Sequence, residues 1–422
     1  MYLPYIFRSF QGFKTKDIKE FHSKQHMILI LEPERDRERL CRKCGDILGR
    51  KRGEYFVEAK HLKAFNWTSS VRFPIWKCEC VTCGCIRSEL IEFICPTSPH
   101  ITMELAWWMN RLTGITSVNQ VSKLESVDKM SCYKVDKYIL SRLLQGYDIP
   151  KVTHISVDEV YARGPKQKKE NEDRDDLFLT VIVDLRTRKV IWVSHSRKKA
   201  ALDTFFEIIG TDACKGIKIV ATDQHEGYNA SVKHYCKGAK VVWDKFHLLQ
   251  NFNEALNDER KLEFQKAKES RHDVMKLIRG KYRFLFLKQH KERSKVERGH
   301  LRDVMKLNRR MMSLELIKER IHWMFSCRSI KQAQKHFGVC YEWACEIGAE
   351  NIKKWIWNLM DKIEFWNYFE EPYTTSVSEG INRAIKGLKW QAYGYKDMTY
   401  FAMKIMQKCG YLNYKYFLSH YQ

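Results

Sequence analysis

The sequence lacks a long apolar run, and this absence limits the classes of protein to which the chain can belong. No stretch approaches the ~18 consecutive apolar residues that a membrane-spanning helix needs. Residues 1–8 also lack the charged start and the cleavage pattern of a secretory signal. We therefore expect a cytoplasmic protein with no membrane partner.

Proline is scarce as well, with 8 in 422 residues, and none lies between residues 245 and 368. That segment is rich in Lys, Arg, Glu, Leu and Met, which favour helices. Leu314, Ile317, Ile321 and Met324 recur at helical spacing. The segment is therefore predicted to form several helices and no strands.

Acidic residues are the less abundant charged class, with 51 Asp and Glu against 75 Lys and Arg, a net charge of +24. The excess is spread over the chain and favours a polyanionic partner, because binding phosphates releases counterions. A ribosomal or membrane-surface protein would share this charge. The length of 422 residues and the 44% hydrophobic content leave room for two or three domains with substantial cores.

Three carboxylates each end or follow an apolar run, in the order strand, strand, helix. Residues 154–158 and 216–223 predict strands that deliver Asp158 and Asp223, and Glu379 lies in a predicted helix. Residues 177–185 and 189–195 predict two further strands, which complete an antiparallel meander with the first. If the strands of Asp158 and Asp223 are neighbours, only about 4.8 Å apart, the two side chains converge. Such a group of oxygen ligands suits a two-metal phosphoryl-transfer site.

Taken singly, each acid is weak evidence, because an Asp at a strand end is more often a turn residue or a helix cap. Glu159 is expected to point to the opposite face of its strand from Asp158. Several other aspartates occupy comparable positions, namely Asp184, Asp203, Asp212 and Asp244.

One face of the predicted helix around Glu379 combines acidic, polar and basic residues. Asn382, Arg383 and Lys386 follow Glu379 at i+3, i+4 and i+7. We expect Asn382 and Lys386 to lie near the scissile phosphate or the flanking DNA. The alternative for the basic residues is an ordinary solvated amphipathic face.

Cysteines near the N-terminus occur in closely spaced pairs. Cys41 and Cys44 form one CxxCG knuckle, and Cys80 and Cys83 form another. Four thiolates at this spacing suit one tetrahedral Zn²⁺ in a zinc ribbon. Cys78 is an alternative to Cys80 in the second pair. A cluster of reduced, buried thiols is the other interpretation, and the reducing cytoplasm disfavours disulfides.

After the cysteine-rich region, three short helices are predicted at residues 103–112, 117–124 and 131–144. A tight turn at residues 125–128 suits a helix-turn-helix whose last helix enters a major groove. An arrangement of three helices that merely links domains is the alternative. On the first interpretation four residues face the DNA, namely Ser131, Tyr133, Lys134 and Lys137.

Several of these segments together resemble motifs of the ISL3 family of bacterial insertion-sequence transposases. The similar blocks are residues 155–159, 220–223, 244–247 with 253–260, and 375–386 continuing through 391–395. The likeness extends from the cysteine-rich region to about Met406.

The resemblance implies a multidomain α/β protein, a DDE transposase with a ribonuclease-H-like catalytic core. This core has a mixed sheet and an all-helical insertion, and a zinc ribbon and a helix-turn-helix precede it. Carried over by position, the catalytic residues and Mg²⁺ or Mn²⁺ ligands are Asp158, Asp223 and Glu379, which hold two ions. One structural Zn²⁺ is expected in addition. The domain boundaries expected from this organisation are an N-terminal arm at 1–37, the ribbon at 38–95, the helix-turn-helix at 99–148, the core at 151–248 and 372–410, the insertion at 249–371 and a tail at 411–422.

The expected function is binding of terminal inverted repeats, followed by metal-dependent DNA cleavage and strand transfer. The expected partners are the double-stranded DNA of transposon ends and target, and a second copy of the chain, as a homodimer or higher assembly. The expected location is the bacterial cytoplasm, in association with the nucleoid. Two alternatives remain open: a catalytically silent DNA-binding regulator derived from a transposase, and a ribonuclease-H-like DNA nuclease.

Overall fold

The computed structural model of the protein describes residues 10–164, 173–270, 283–372 and 376–412. The chain divides into two compact units. Unit 1 comprises Met1–Asp148 and Gly387–Gln422, and unit 2 comprises Ile149–Lys386. Each unit contains a five-stranded mixed sheet, so the predicted mixed α/β class is confirmed. Within the described ranges, no helix has the length and apolar character needed to span a bilayer.

The sheet of unit 1 has the strand order β1-β2-β4-β3, and β5 pairs with β4. Its strands are β1 (Phe13–Phe21), β2 (His26–Pro33), β3 (Lys51–Ala64), β4 (Trp67–Cys80) and β5 (Cys85–Ser88). The residues assigned to an N-terminal arm therefore contribute β1 and β2 to the same sheet as the predicted ribbon. Strands β3 and β4 form a long hairpin in which Ala64 pairs with Trp67.

Aromatic side chains form much of the core beneath this sheet. The rings of Phe13 and Phe73 lie 5.4 and 5.0 Å from the ring of Phe93, both in edge-to-face geometry. Leu29 and Leu31 alternate with outward residues on β2 and are buried against the same cluster. This period-two alternation is that of a strand with one buried face, which explains why β2 joins the sheet.

Three helices follow the sheet at the positions predicted from the sequence. They are α1 (Met103–Thr113), α2 (Val118–Leu124) and α3 (Lys129–Gln145). Each begins at a side-chain cap, provided by Thr102, Ser117 and Asp128 respectively. The third helix starts two residues earlier than predicted because Asp128 caps it.

A buried polar network holds the C-terminal helix α14 (Met398–Cys409) in unit 1. Asp136 on α3 is fully buried and accepts hydrogen bonds from Asn110 Nδ2 at 2.7 Å, Thr113 Oγ1 at 2.5 Å and Tyr400 Oη at 2.5 Å. Lys404 Nζ lies 3.2 Å from the same carboxylate. Because buried charges are stable only when they are paired and hydrogen-bonded, this network fixes α14 against α1 and α3.

The sheet of unit 2 has the order β10-β9-β6-β7-β8. Its strands are β6 (His154–Tyr161), β7 (Phe178–Asp184), β8 (Lys189–His195), β9 (Ile219–Thr222) and β10 (Lys240–Trp243). The first three form the predicted antiparallel meander, whereas β6, β9 and β10 run parallel. Helices α4 (Lys199–Gly216) and α5 (Glu226–Tyr235) make the crossovers that parallel neighbours require.

Helices occupy most of the chain between β10 and the segment that carries Glu379. Within the described part of residues 245–372 there is no strand, as predicted from the absence of proline and the helical spacing. These helices are α6 (Lys245–Ser270), α7 (Arg283–Leu287), α8 (Lys295–Leu307), α9 (Arg309–Met324), α10 (Ile330–Glu346), α11 (Glu350–Met360) and α12 (Ile363–Trp366). Helix α13 (Ser376–Gln391) follows and contains Glu379.

Candidate active site and cysteine cluster

The parallel pairing of β6 with β9 determines where the two aspartates lie. Ser156 is the register partner of Ala221. When this register is continued by two residues, Asp158 and Asp223 are opposite each other at the ends of neighbouring strands. Neighbouring strands are about 4.8 Å apart, so both carboxylates belong to one edge of the sheet.

Electrostatics agree with this proximity. Burial raises the pKa of Asp158, and the negative charge of Asp223 adds to the effect. Burial and the same Asp223 raise the pKa of Glu159 to about 7, although Arg197 lies 3.4 Å from Glu159 Oε2. The cluster of acids therefore favours a cation, which would compensate for the desolvated negative charges.

Helix α13 docks on β6 through two side-chain hydrogen bonds. The hydroxyls of Ser378 and Ser156 are 2.8 Å apart and both are buried. Asn382 Nδ2 donates to Asp158 Oδ2 at 2.7 Å. Glu379 follows Ser378 directly and lies one helical turn before Asn382, so these two contacts bring the segment that contains Glu379 to the strand that contains Asp158.

The carboxylate of Glu379 is engaged by its own helix. Arg383 Nη2 donates to Glu379 Oε1 at 2.5 Å, and both side chains are substantially exposed. Among the described residues, one set of three or more His, Cys, Asp or Glu side chains has all its ligand atoms within 4.8 Å of one another, and that set is made of cysteines. The three acids do not form such a set in this structure.

A fourth acid, Asp244, reaches the same edge of the sheet. Trp243 is the register partner of Thr222, and the Asp244 N–H donates to the Thr222 carbonyl at 2.9 Å. Asp244 is buried, and its carboxylate accepts the Phe246 N–H at 3.0 Å at the start of α6. Its position after an apolar run was visible in the sequence, but the parallel register that aligns it with Asp223 was not.

His247 is a further side chain near the acids. Its Nε2 lies 3.9 Å from Asp244 Oδ2, and its charge lowers the pKa of Asp158, against the effect of burial. The first turn of α6 therefore places the imidazole of His247 near the carboxylates at this edge of the sheet.

Four cysteine thiols of unit 1 converge. Their Sγ atoms all lie within 4.8 Å of one another, with 3.5 Å between Cys44 and Cys80 and 3.9 Å between Cys41 and Cys83. The two knuckles are shaped by glycines in the left-handed region, Gly45 at φ +81° and Gly84 at φ +65°, where a side chain would be strained.

The donor set of this cluster fits zinc. Backbone N–H groups of Cys44 and Lys43 lower the pKa of the Cys41 thiol to about 6, against the effect of burial, which favours a thiolate ligand. Four sulfur donors in this spacing can bind one tetrahedral Zn²⁺. Cys78 is fully buried and lies outside the set of four converging thiols. The geometry therefore favours Cys80 as the ligand.

The side chains predicted to face DNA on α3 have different surroundings. Tyr133 Oη and Lys137 Nζ both donate to Asp397 Oδ2, at 2.6 and 2.5 Å. Lys134 is exposed and Ser131 is half-buried at the first turn of the helix. Contact of these four residues with DNA stays a prediction, as it does for Asn382 and for the exposed Lys386 on α13.

Comparisons with known proteins agree with the motifs. Residues 155–405 match the family model of the ISL3 DDE transposases, described as "Transposase". Over 375 residues, 87% of each chain, the sequence is 22% identical to the transposase for insertion sequence element IS1001 of Bordetella parapertussis. Over 108 residues, 26% of this chain and 24% of the relative, it is 29% identical to the transposase for insertion sequence element IS1557 of Mycobacterium tuberculosis.

Proposed function

The chain belongs to the ISL3 family of DDE transposases, and from this premise we propose that it binds the terminal inverted repeats of an insertion sequence, cleaves the DNA there and joins the freed 3′ end to target DNA. Family membership itself implies a DNA-processing enzyme that binds DNA. The observation that carries the finer proposal is the parallel register of β6 and β9, which aligns Asp158 with Asp223.

The fold of unit 2 supports a ribonuclease-H-like core. A central strand β6 has an antiparallel meander on one side and two parallel strands on the other. In the sequence, helices α6 to α12 lie between the two aspartates and α13. The family resemblance predicts this position for an insertion before the final Glu. We propose that residues 249–371 are this insertion.

Asp158, Asp223 and Glu379 are the proposed ligands of two divalent ions. Oxygen ligands suit Mg²⁺ and Mn²⁺, and the raised pKa of the half-buried Asp158 beside Asp223 is consistent with a site that needs a cation. Such ions, when bound, would activate the attacking hydroxyl and stabilise the leaving oxygen.

The protein's own groups have separate tasks in this site. Asn382 holds the Asp158 carboxylate in one orientation through its amide. If Glu379 held a shared ion, its carboxylate would give up the hydrogen bond from Arg383, and the guanidinium would then be available to a phosphate. Because this ion pair is exposed, the exchange costs little, about 0–1 kcal/mol.

The proposed reaction consists of two in-line displacements at phosphorus. In cleavage, the oxygen of water bonds to phosphorus and the bond to the 3′ oxygen of the transposon end breaks, which leaves a 3′-hydroxyl and a 5′-phosphate. In strand transfer, that 3′-hydroxyl attacks a target phosphodiester and releases a target 3′-hydroxyl. Neither step changes an oxidation state.

Unit 1 is the proposed DNA-recognition unit. We propose that one structural Zn²⁺ bound by Cys41, Cys44, Cys80 and Cys83 stabilises the ribbon, and that α3 enters the major groove as the last helix of a helix-turn-helix. Because two transposon ends must be cleaved, at least a dimer on DNA is proposed. A cytoplasmic, nucleoid-associated protein is consistent with this function.

The test uses the full-length protein and duplexes that carry the inverted repeats flanking the gene. With Mg²⁺ or Mn²⁺ we expect nicking at the repeat ends and joined products with target DNA. The Asp158→Ala and Asp223→Ala variants should bind the duplex but yield no nicked product. Asp212→Ala is the matched control, because that carboxylate is 97% exposed and pairs only with Lys215 among the bonds observed.

The outcomes separate the alternatives. Binding without nicking by the wild type would identify a DNA-binding regulator. Nicking without joined products would identify a nuclease. Full activity in either aspartate variant would refute the proposed site.

A further inference from the structure

The tip of the β3–β4 hairpin presents an aromatic ring to solvent. Because Ala64 pairs with Trp67, Phe65 and Asn66 form a two-residue turn. The Phe65 side chain is fully exposed, at 102% of its reference area, and its φ is +54°. Of the large hydrophobic side chains in the described part of the chain, it has the greatest exposure.

This backbone conformation is unfavourable for phenylalanine. Hairpin turns with a positive φ at the first of their two residues normally have glycine there, because a Cβ is strained in the left-handed region. A bulky residue with positive φ is an outlier. Phe65 recovers none of this cost through packing, and uncompensated strain at an exposed position is a reason to look for a function.

The hairpin is attached beside the first turn of α3. Lys60 Nζ donates to the Ser126 carbonyl, and Lys63 Nζ donates to the Leu124 carbonyl at 2.7 Å. Leu124 is the last residue of α2, and Ser126 lies in the turn between α2 and α3. Lys63 also pairs with Glu125 at 3.2 Å. The hairpin that carries Phe65 is therefore attached to the turn that precedes the helix proposed to read the major groove.

The surroundings of the tip are basic. Exposed lysines lie on the neighbouring turn at Lys24 and along the α2–α3 segment at Lys123, Lys129 and Lys134. The turn that contains Lys24 is adjacent to the tip, since the His22 ring lies 5.0 Å from the Trp67 ring. The acids of this region are engaged: Glu125 is buried against Lys63, and Asp128 caps α3. An anionic partner fits such a surface.

We propose that Phe65 is a wedge that inserts between two base pairs of the element-end DNA from the minor groove, while α3 occupies the adjacent major groove. Apolar side chains at the tips of rigid elements unstack base steps and bend the duplex toward the major groove in this way. The inference rests on the proposed function, because it assumes that unit 1 binds duplex DNA.

The test compares wild-type protein with Phe65→Gly and Phe65→Asn. Both substitutions remove the ring at a position where glycine and asparagine tolerate positive φ. Melting temperatures equal to or above that of the wild type are therefore expected, which separates a binding defect from unfolding. Phe56→Ala is the matched control, because Phe56 is an exposed phenylalanine on strand β3 of the same hairpin, away from the tip.

The probes are end-repeat duplexes with 2-aminopurine at successive positions, whose fluorescence rises when the base is unstacked. We expect wild-type protein and Phe56→Ala to raise the fluorescence at one step. Both Phe65 variants should abolish this rise and bind about 10-fold more weakly, as expected for the loss of one stacked aromatic.

Two results would overturn the inference, and they are distinguishable. If the wild type binds the duplex and the Phe65 variants match it in affinity and fluorescence, the wedge is refuted while the proposed function stands. If the wild type does not bind the end duplex at all, the proposed function fails together with the wedge.

Discussion

Removing the Asp136 carboxylate should destabilise unit 1 more than any surface change. Asp136→Ala leaves Lys404 buried without its counter-ion and removes the acceptor of Asn110, Thr113 and Tyr400. Breaking one partner of a buried pair costs about 3–5 kcal/mol because an uncompensated charge remains inside. Tyr400→Phe, which removes a single hydrogen bond to a charged group, should cost about 1.5–3 kcal/mol.

Hydrogen exchange read by mass spectrometry is the appropriate assay, because it reports local opening of each helix and does not require the two units to unfold together. Peptides from α1, α3 and α14 should lose protection in Asp136→Ala, and those from the sheet of unit 2 should not. Asp212→Ala, a substitution of an exposed acid, should change protection by less than about 0.5 kcal/mol.

A double substitution tests whether an unpaired buried charge causes the loss of stability. Asp136→Leu combined with Lys404→Met replaces the pair by apolar side chains, so the loss should be smaller than the sum of the single losses. The reasoning would be refuted if Asp136→Ala cost less than about 1 kcal/mol, or if the losses of the single variants simply added.

Three further predictions concern the cysteine cluster, the ion pair on helix α13 and the carboxylate of Asp397. Cys80→Ser should remove the zinc bound per chain in elemental analysis, whereas Cys78→Ser should retain it; equal loss in both would contradict the ligand assignment. Arg383→Ala should lower the Mn²⁺ concentration that gives half-maximal nicking by up to about 5-fold, because Glu379 no longer needs to leave an ion pair worth about 0–1 kcal/mol; a higher requirement would contradict the exchange. Although burial opposes it, hydrogen bonds from Lys137 and Tyr133 lower the pKa of Asp397 from 3.8 to about 2. Because solvent screens this partly exposed ion pair, the stabilisation is reduced to about 1–2 kcal/mol; it is present above pH ~4 and lost as the pH falls through ~2. Urea titrations of Asp397→Asn should lack this acid-dependent loss.

The local pattern of the sequence is sufficient to predict the strands and the helix that carry the candidate site. Apolar runs that end in Asp158 and Asp223 predict strands, and the helical spacing around Glu379 predicts a helix; strands β6 and β9 and helix α13 are observed there. The register between β6 and β9 could not be predicted from the sequence, because packing and not local preference decides how distant strands pair.

Other features depend on contacts that no local pattern contains. Cys78 and Cys80 lie two residues apart on β4 and are both buried, so spacing could not choose between them. The partnership of Tyr133 and Lys137 with Asp397 joins residues separated by 264 and 260 positions. The lysine-rich β1 resembles a solvated arm in the sequence because, apart from Phe13, its side chains are exposed or half-buried.

The position of α14 has a consequence for synthesis. Tyr400 and Lys404 complete the polar interior of helices that were translated more than 250 residues earlier. While the polypeptide is still being extended on the ribosome, Asp136 has none of these late partners. Unit 1 can therefore mature only after α14 emerges, and fragments that stop at Asp148 should be less stable than the same residues in the full-length chain.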